Sequence, residues 1–295
     1  MATPAQWIEG ARPRTLPAAV APVAVGTAAA MALGRHNWGL ALLALIVSVC
    51  LQIGVNYAND YSDGVRGTDA ERSGPERLVG GGRAKAENVK IAAFGFFFLA
   101  ALAGGALVAV TDAWLLLILG ALAIVAAWRY TGGSNPYGYR GLGEVYVFIF
   151  FGLFATLGTQ WTQAKELTWS GLLGAAGVGA IASAILVANN LRDIPTDTAH
   201  GKRTLAVRLG DRGTRRLYLG LIAVAVLCAL GAAVWHPLAP IALLALVILH
   251  KPVRAMRAGA SGRDLIPLLA STGIFELAYA VLFGLGLVLS ARFLG

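Results

Sequence analysis

The sequence predicts an all-α membrane protein with nine transmembrane helices, arranged as two four-helix halves plus a ninth helix around a central cavity. Three observations predict it. Of 295 residues, 57% are hydrophobic and only 13% charged, against roughly 25% charged in ordinary soluble chains. Apolar runs close to the ~20 residues that cross a hydrocarbon core recur along the chain. Two acidic clusters, at Asn59–Asp69 and Asn189–Asp197, each follow a long apolar run.

The nine runs lie at Leu16–Leu33, Trp38–Tyr57, Val89–Val110, Ala113–Tyr130, Val145–Thr159, Trp169–Asn189, Leu217–Val234, Leu238–Leu249 and Leu265–Leu289. The eighth is the shortest. Alternate connections are brief, and the others are longer and carry nearly all the polar residues: Ala58–Asn88, Thr131–Glu144, Asn190–Arg216 and His250–Asp264. No linker separates soluble domains, so residues 1–295 read as one membrane domain. The N-terminus does not read as a cleavable signal peptide, because Trp7, Glu9, Arg12 and Arg14 precede the first run. Cys50 and Cys228 sit inside apolar runs and read as small core residues. The four histidines show no metal-ligand spacing.

The net charge is +9. Its distribution argues against nucleic acid as the partner. With nine crossings, 21 of the 24 Lys and Arg residues fall on the N-terminal side, and only Arg35, Lys165 and Arg292 on the other. This asymmetry places the N-terminus and the long loops in the cytoplasm and the C-terminus outside a cell membrane. Anionic lipid also attracts that basic face.

Carboxylates at membrane depth are costly and usually functional. Asn56, Asn59, Asp60 and Asp63 are spaced to share one helix face. Asn189, Asp193 and Asp197 are spaced the same way, although Pro195 predicts a break there. Asn59–Asp63 aligns with Asn189–Asp193 four runs later, a weak parallel repeat that sets the clusters across a shared cavity. Mg²⁺ takes oxygen ligands, commonly one or two carboxylates plus substrate phosphates. Facing carboxylate sets therefore point to an intramembrane enzyme acting on a diphosphate. Arg66, Arg72, Arg77, Arg83, Arg192, Lys202, Arg203 and Arg208 flank the clusters and suit diphosphate oxygens or a solvated face. Gly80-Gly81-Gly82 allows close backbone approach to a ligand. Tyr130, Tyr139 and Tyr146 are candidates to face a cation, or to form an interfacial belt. Glu276, alone in the last run, either lines the cavity or bonds another helix.

These residues resemble the UbiA superfamily of intramembrane aromatic prenyltransferases, whose signatures run N-D-x-x-D-x-x-x-D and D-x-x-x-D. Asn59, Asp60 and Asp63 match the first, and Asp193 and Asp197 the second. Gly67 stands where the first motif has its last acid, and Asp69 follows two residues later. That departure, with Arg72–Pro75, Asn189–Gly210, Arg12–Val23 and Gly138–Glu144, is similar to the branch that prenylates 1,4-dihydroxy-2-naphthoate.

The resemblance implies a cavity capped by cytoplasmic loops and open sideways to lipid, with Mg²⁺ as cofactor. It implies a polyprenyl diphosphate donor, a dihydroxynaphthoate acceptor, and a demethylmenaquinone product formed with loss of the acceptor carboxylate. Asp60, Asp63, Asp69, Asp193 and Asp197 would bind metal, assisted by Asn59 and Asn189. Arg77, Arg140, Arg192 and Lys202 would hold diphosphate, Tyr139 would steady an allylic cation, and Arg12 or Arg14 would meet the acceptor carboxylate. The rival readings are another acceptor within the superfamily, and an ion-coupled transporter with its acids at the bilayer midplane.

Overall fold

The computed structural model describes residues 2–67 and 77–294, and among them helices and turns are present but no strand. Helix α1 (Pro4–Gly10) opens with a capping box in which Thr3 and Gln6 bond each other's backbone N–H. Arg12 then takes a left-handed backbone, φ 54°, and a short 3₁₀ turn leads into α2 (Pro17–Ala32). The chain bends by 49° between these two stretches.

The following helices are α3 (Trp38–Val65), α4 (Ala86–Thr111), α5 (Leu115–Arg129) and α6 (Gly143–Ala164). After them come α7 (Trp169–Ala199), α8 (Leu205–Ala232), α9 (Ala239–Arg257) and α10 (Gly262–Phe293). Asn37 caps α3 at Leu40 N, Thr168 caps α7 at Gly171 N, and Thr204 caps α8 at Val207 N.

Among the described residues seven helices are long and apolar enough to cross a membrane, and the bent pair at the N-terminus makes up to eight. The fourth apolar run forms only the 15-residue α5, because Asp112 turns left-handed and helix begins after Trp114. The eighth run becomes a spanning helix because it continues to Arg257, and its first part, Ala239–Leu249, is a 3₁₀ helix. At about 2.0 Å per residue that geometry stretches eleven residues further than an α-helix. Ala239, Ala242 and Ala245 recur every third residue and are buried, which is the 3₁₀ period.

Two further expectations change. The helix does not break at Pro195: α7 continues to Ala199, held in place by burial along most of its length. The long connection at 250–264 contains the last part of α9, His250–Arg257.

The larger apolar core gathers Val25, Ile181, Tyr218, Phe275, Tyr279 and Phe283 from α2, α7, α8 and α10. A smaller one joins Tyr57, Val89 and Phe97 of α3 and α4 to Ala127 of α5. Helix α2 thus belongs with the C-terminal helices. Ile124 and Trp128 of α5 also pack against the smaller core, and only Ala126 and Ala127 in that helix are buried. Between the two cores lies a cavity.

Helix α6 carries a π-helix over Phe148–Phe154. It meets α7 at two glycines, since a Cβ added to Gly152 would lie 2.5 Å from Gly179 Cα. Small residues let helix backbones approach in membranes. At the far end from the acidic clusters, Arg35 pairs with Glu166 at 3.0 Å, and Lys165 donates to the Thr111 carbonyl.

Candidate active site

Helices α3 and α7 bring both acidic clusters to one cavity of about 540 Å³. Asn56, Asn59 and Asp63 line it from the last turns of α3, and Asn189, Asp193 and Asp197 from the last turns of α7. Each set is one helical face, so the i, i+3/i+4 spacing becomes two opposed rows of oxygen donors.

Asp63 ties two loops to α3. Its Oδ1 accepts from the Tyr139 hydroxyl at 2.5 Å and from Lys202 Nζ at 3.3 Å. Lys202 Nζ also lies 4.8 Å from the Tyr139 ring centre, and the Arg66 guanidinium 5.2 Å from it. The ring therefore sits between two cations. Three loops are knotted here. The Arg203 N–H donates to the Tyr139 carbonyl at 3.0 Å. Thr131 donates to Asn59 Oδ1 at 2.8 Å, and Arg66 donates to the carbonyls of Thr131 and Gly133.

Across the cavity, Arg192 grips Asp193 with two bonds, Nε to Oδ1 at 2.7 Å and Nη2 to Oδ2 at 2.6 Å. The same Nη2 donates to Asn189 Oδ1 at 2.9 Å. Both partners are buried, so the fork geometry is what makes the pair tolerable. Asp197 accepts from Thr204 at 3.5 Å, and its backbone carbonyl accepts from the Lys202 N–H at 2.8 Å. That bond fixes the turn that aims Lys202 inward.

The remaining predicted residues fall in different places. Arg12 and Arg77 line the cavity. Asp60 faces away from it. Its oxygens accept from the Leu78 and Val79 N–H groups at 2.9 Å each, fastening the loop that follows the first cluster. Arg140 is exposed and does not line the cavity, although it neighbours Tyr139. Gly80, Gly81 and Gly82 are exposed outside the cavity too. Asp69 and Arg72 lie outside the described residues. Glu276 does neither thing expected of it: it is fully buried away from the cavity, and neither carboxylate oxygen has a hydrogen-bond partner.

The sequence reading missed a polar floor beneath the acids. Gln52 donates to Thr15 at 3.0 Å and to Asn56 at 3.4 Å, and Asn56 donates to Thr15 at 3.0 Å and to the Ala11 carbonyl at 2.8 Å. Extending the α3 stripe one turn back from Asn56 reaches Gln52. Of the aromatic wall the sequence reading picked out Tyr130 and Tyr146 but not Tyr137, Phe150 or Phe154. Tyr137 stacks on Tyr146 with ring centres 3.8 Å apart, and Tyr130, Phe150 and Phe154 continue the row. Burial, then the neighbouring Tyr146, pushes the Tyr137 phenol well above its ordinary range, so it is a neutral hydroxyl at physiological pH.

Among the described residues no three acid, His or Cys side chains gather closely enough to enclose a metal ion alone. A hard cation that completes its shell with phosphate oxygens and water does not need such a cage. The opposed rows of carboxylate and amide oxygens fit that kind of ion. Beyond the Gln52–Asn56–Thr15 floor the cavity wall is mostly apolar.

A model of the UbiA prenyltransferase family matches residues 19–263. The chain belongs to the UbiA prenyltransferase family. Within it, the 1,4-dihydroxy-2-naphthoate octaprenyltransferase of Mycobacterium tuberculosis is 52% identical, over 95% of this chain and 96% of that one. The Escherichia coli protein of the same name is 44% identical over 75% of this chain and 74% of its own. Among UbiA-family structures, a homolog from Archaeoglobus fulgidus bound to DMAPP and Mg²⁺ superposes with TM-score 0.66 at 13% identity. It covers 96% of this chain and 99% of that one. An Aeropyrum pernix homolog gives 0.70 at 16%, over 92% and 97%. These two share the fold.

Proposed function

We propose that this protein transfers a polyprenyl group from polyprenyl diphosphate to 1,4-dihydroxy-2-naphthoate, releasing diphosphate and carbon dioxide and giving the quinol form of demethylmenaquinone. One observation carries the reading: a single cavity has Asp63, Asp193 and Asp197 at its polar end and an apolar interior behind them. A diphosphate that must stay near water and a hydrocarbon tail soluble only in lipid need that combination. The names of the relatives at 52% and 44% identity supply the acceptor.

The residues divide the work. Asp63, Asp193 and Asp197, with Asn59 and Asn189, would hold the divalent cation, and Asp60 acts through the loop it anchors. Bound there, Mg²⁺ would screen the diphosphate oxygens and stabilise the charge of the leaving group. Lys202 and Arg77 offer further positive charge to that group. The allylic C–O bond breaks with its electron pair leaving on diphosphate. Tyr139 and the row from Tyr137 to Phe154 shelter the carbocation from water. The electron-rich ring carbon that bears the carboxylate forms the new C–C bond, and the pair of its bond to the carboxylate returns to the ring as carbon dioxide departs. Arg12, above the Gln52–Asn56–Thr15 floor, suits the acceptor carboxylate.

In the membrane we read nine crossings in one domain spanning residues 1–295: eight with the bent N-terminal pair, plus α5. Its 15 residues reach only about 22 Å, so the bilayer thins or Ala113, Trp114 and Tyr130 complete the passage. The acidic clusters and their cap of loops face the cytoplasm, as the basic asymmetry requires. An ion-coupled transporter would carry its acids at mid-depth, whereas these occupy the last turns of α3 and α7. The test is purified protein in detergent with dihydroxynaphthoate, polyprenyl diphosphate and Mg²⁺. Prenylated naphthoquinol and diphosphate should appear together. No product from this acceptor, but product from 4-hydroxybenzoate, would reassign the branch. No product from either acceptor would overturn prenyl transfer itself.

A further inference from the structure

Glycine does two different things in these helices. At helix contacts it is required by crowding: an added Cβ would lie 2.5 Å from the Phe97 ring at Gly54, and 2.4 Å from the Thr156 carbonyl at Gly26. Gly105 of α4, Gly120 of α5 and Gly158 of α6 are the opposite case. Outside their own turns of helix no atom lies within 4 Å of the position their Cβ would take, and all three line the cavity. Glycine inside a helix is less stable than alanine, so neither packing nor helix formation accounts for these three. Empty volume does.

That volume is at the deep end of the site. On α6 the cavity-facing row runs Tyr146, Phe150, Phe154, Gly158 at four-residue steps, three rings and then none. On α5 the inner face runs Ala127, Ile124, Gly120, Leu116 away from the acids. Leu107, Val108 and Leu117 complete the chamber. Its hydroxyls are already engaged within the protein, Ser48 to the Ala19 carbonyl at 2.8 Å and Thr159 to the Ala155 carbonyl at 2.6 Å. An occupant therefore finds apolar surface without a spare donor, and the chamber is continuous with Asp63 and Asp193.

We propose that Gly105, Gly120 and Gly158 set donor-length selectivity: they hollow a terminal chamber that takes isoprene units far from the diphosphate, favouring long donors over short. The inference rests on prenyl transfer as the activity. A two-unit geranyl chain stays near the diphosphate, while a longer chain carries further units toward the chamber.

The experiment compares kcat/KM for octaprenyl diphosphate and geranyl diphosphate in wild type, in the triple variant Gly105→Ala, Gly120→Ala, Gly158→Ala, and in Gly120→Leu and Gly158→Leu. Alanine has no neighbour to strike and suits a helix better, so the triple variant folds. Its octaprenyl-to-geranyl ratio should fall about threefold, and the leucine variants' ratio about tenfold or more, with geranyl transfer kept within about twofold. A ratio equal to that of wild type in all variants overturns the proposal, and so does a parallel loss on both donors. Wild-type transfer to dihydroxynaphthoate is read separately and tests the underlying activity.

Discussion

The Tyr139 hydroxyl donates to Asp63 Oδ1 at 2.5 Å, which locks the loop after α5 onto the last turn of α3, 76 residues earlier in the chain. A hydrogen bond to a carboxylate contributes about 1.5–3 kcal/mol. Tyr139→Phe keeps the ring between Lys202 and Arg66 but removes that bond. Turnover should fall by roughly ten- to a hundredfold, and the thermal midpoint in detergent should drop by a few degrees. Unaltered kcat in this variant would show that the bond does not position Asp63.

Asp63→Ala and Asp193→Ala should each abolish transfer while the protein still purifies folded, because each removes an oxygen donor at the cavity mouth. Excess EDTA should stop the wild type, and Mg²⁺ should restore it. Full turnover in EDTA would contradict a metal-held diphosphate.

Asp60 has a different job, and a different readout follows. Asp60→Ala strands the buried Leu78 N–H, at about 1–3 kcal/mol, and the part-buried Val79 N–H beside it. Its thermal midpoint should drop and protease should cut faster between Arg77 and Lys85. Asp60→Asn retains one accepting oxygen and should fall in between. Loss of activity in Asp60→Ala with neither change would place Asp60 at the metal instead.

Glu276 is buried with both oxygens unpartnered, a condition that costs about 1–3 kcal/mol per group. Glu276→Met keeps a long unbranched side chain and discards the polar atoms. Its thermal midpoint should rise by a few degrees or more, with transfer retained. A lower midpoint would mean that the carboxyl makes a stabilising contact within the bilayer.

Sidedness can be read with an impermeant thiol reagent, since Cys50 and Cys228 are buried. Cysteines placed at Ala86 or His200 should be shielded in intact cells and labelled in inverted vesicles, and one at Lys165 should do the reverse. Labelling of the first two from outside would invert the proposed orientation.

Periodicity made part of this site legible. Asn56, Asn59 and Asp63 share a face because helix geometry leaves no other choice, and the same holds for Asn189, Asp193 and Asp197. Asp60 shows where that reasoning stops: one step on from Asn59 turns its side chain toward the loop, and only the folded path of residues 77–82 reveals the two N–H groups waiting there. Tyr139 and Arg140 are adjacent in a Gly-rich loop, and no local rule says which turns inward. The 3₁₀ geometry of Ala239–Leu249 was visible in its alanine spacing but hidden by its apolar composition. Asp69 falls outside the described residues, so its place in the first motif rests on sequence.

The π-helix at Phe148–Phe154 makes α6 sensitive to counting. A wider turn accommodates a residue that a regular helix would not hold, and it leaves Tyr146, Phe150 and Phe154 in one row. Taking one amino acid out of this stretch lets the wide turn close to ordinary α-helical geometry while both flanks keep their facing. Gln163 then keeps its bonds to Thr27 and to the Asn37 N–H, and Gln160 keeps Thr168. A deletion between 155 and 159, in regular helix, has no such outlet and rotates everything beyond it by roughly 100°. Single-residue deletions at 155–159 should therefore be far more damaging than those at 148–154.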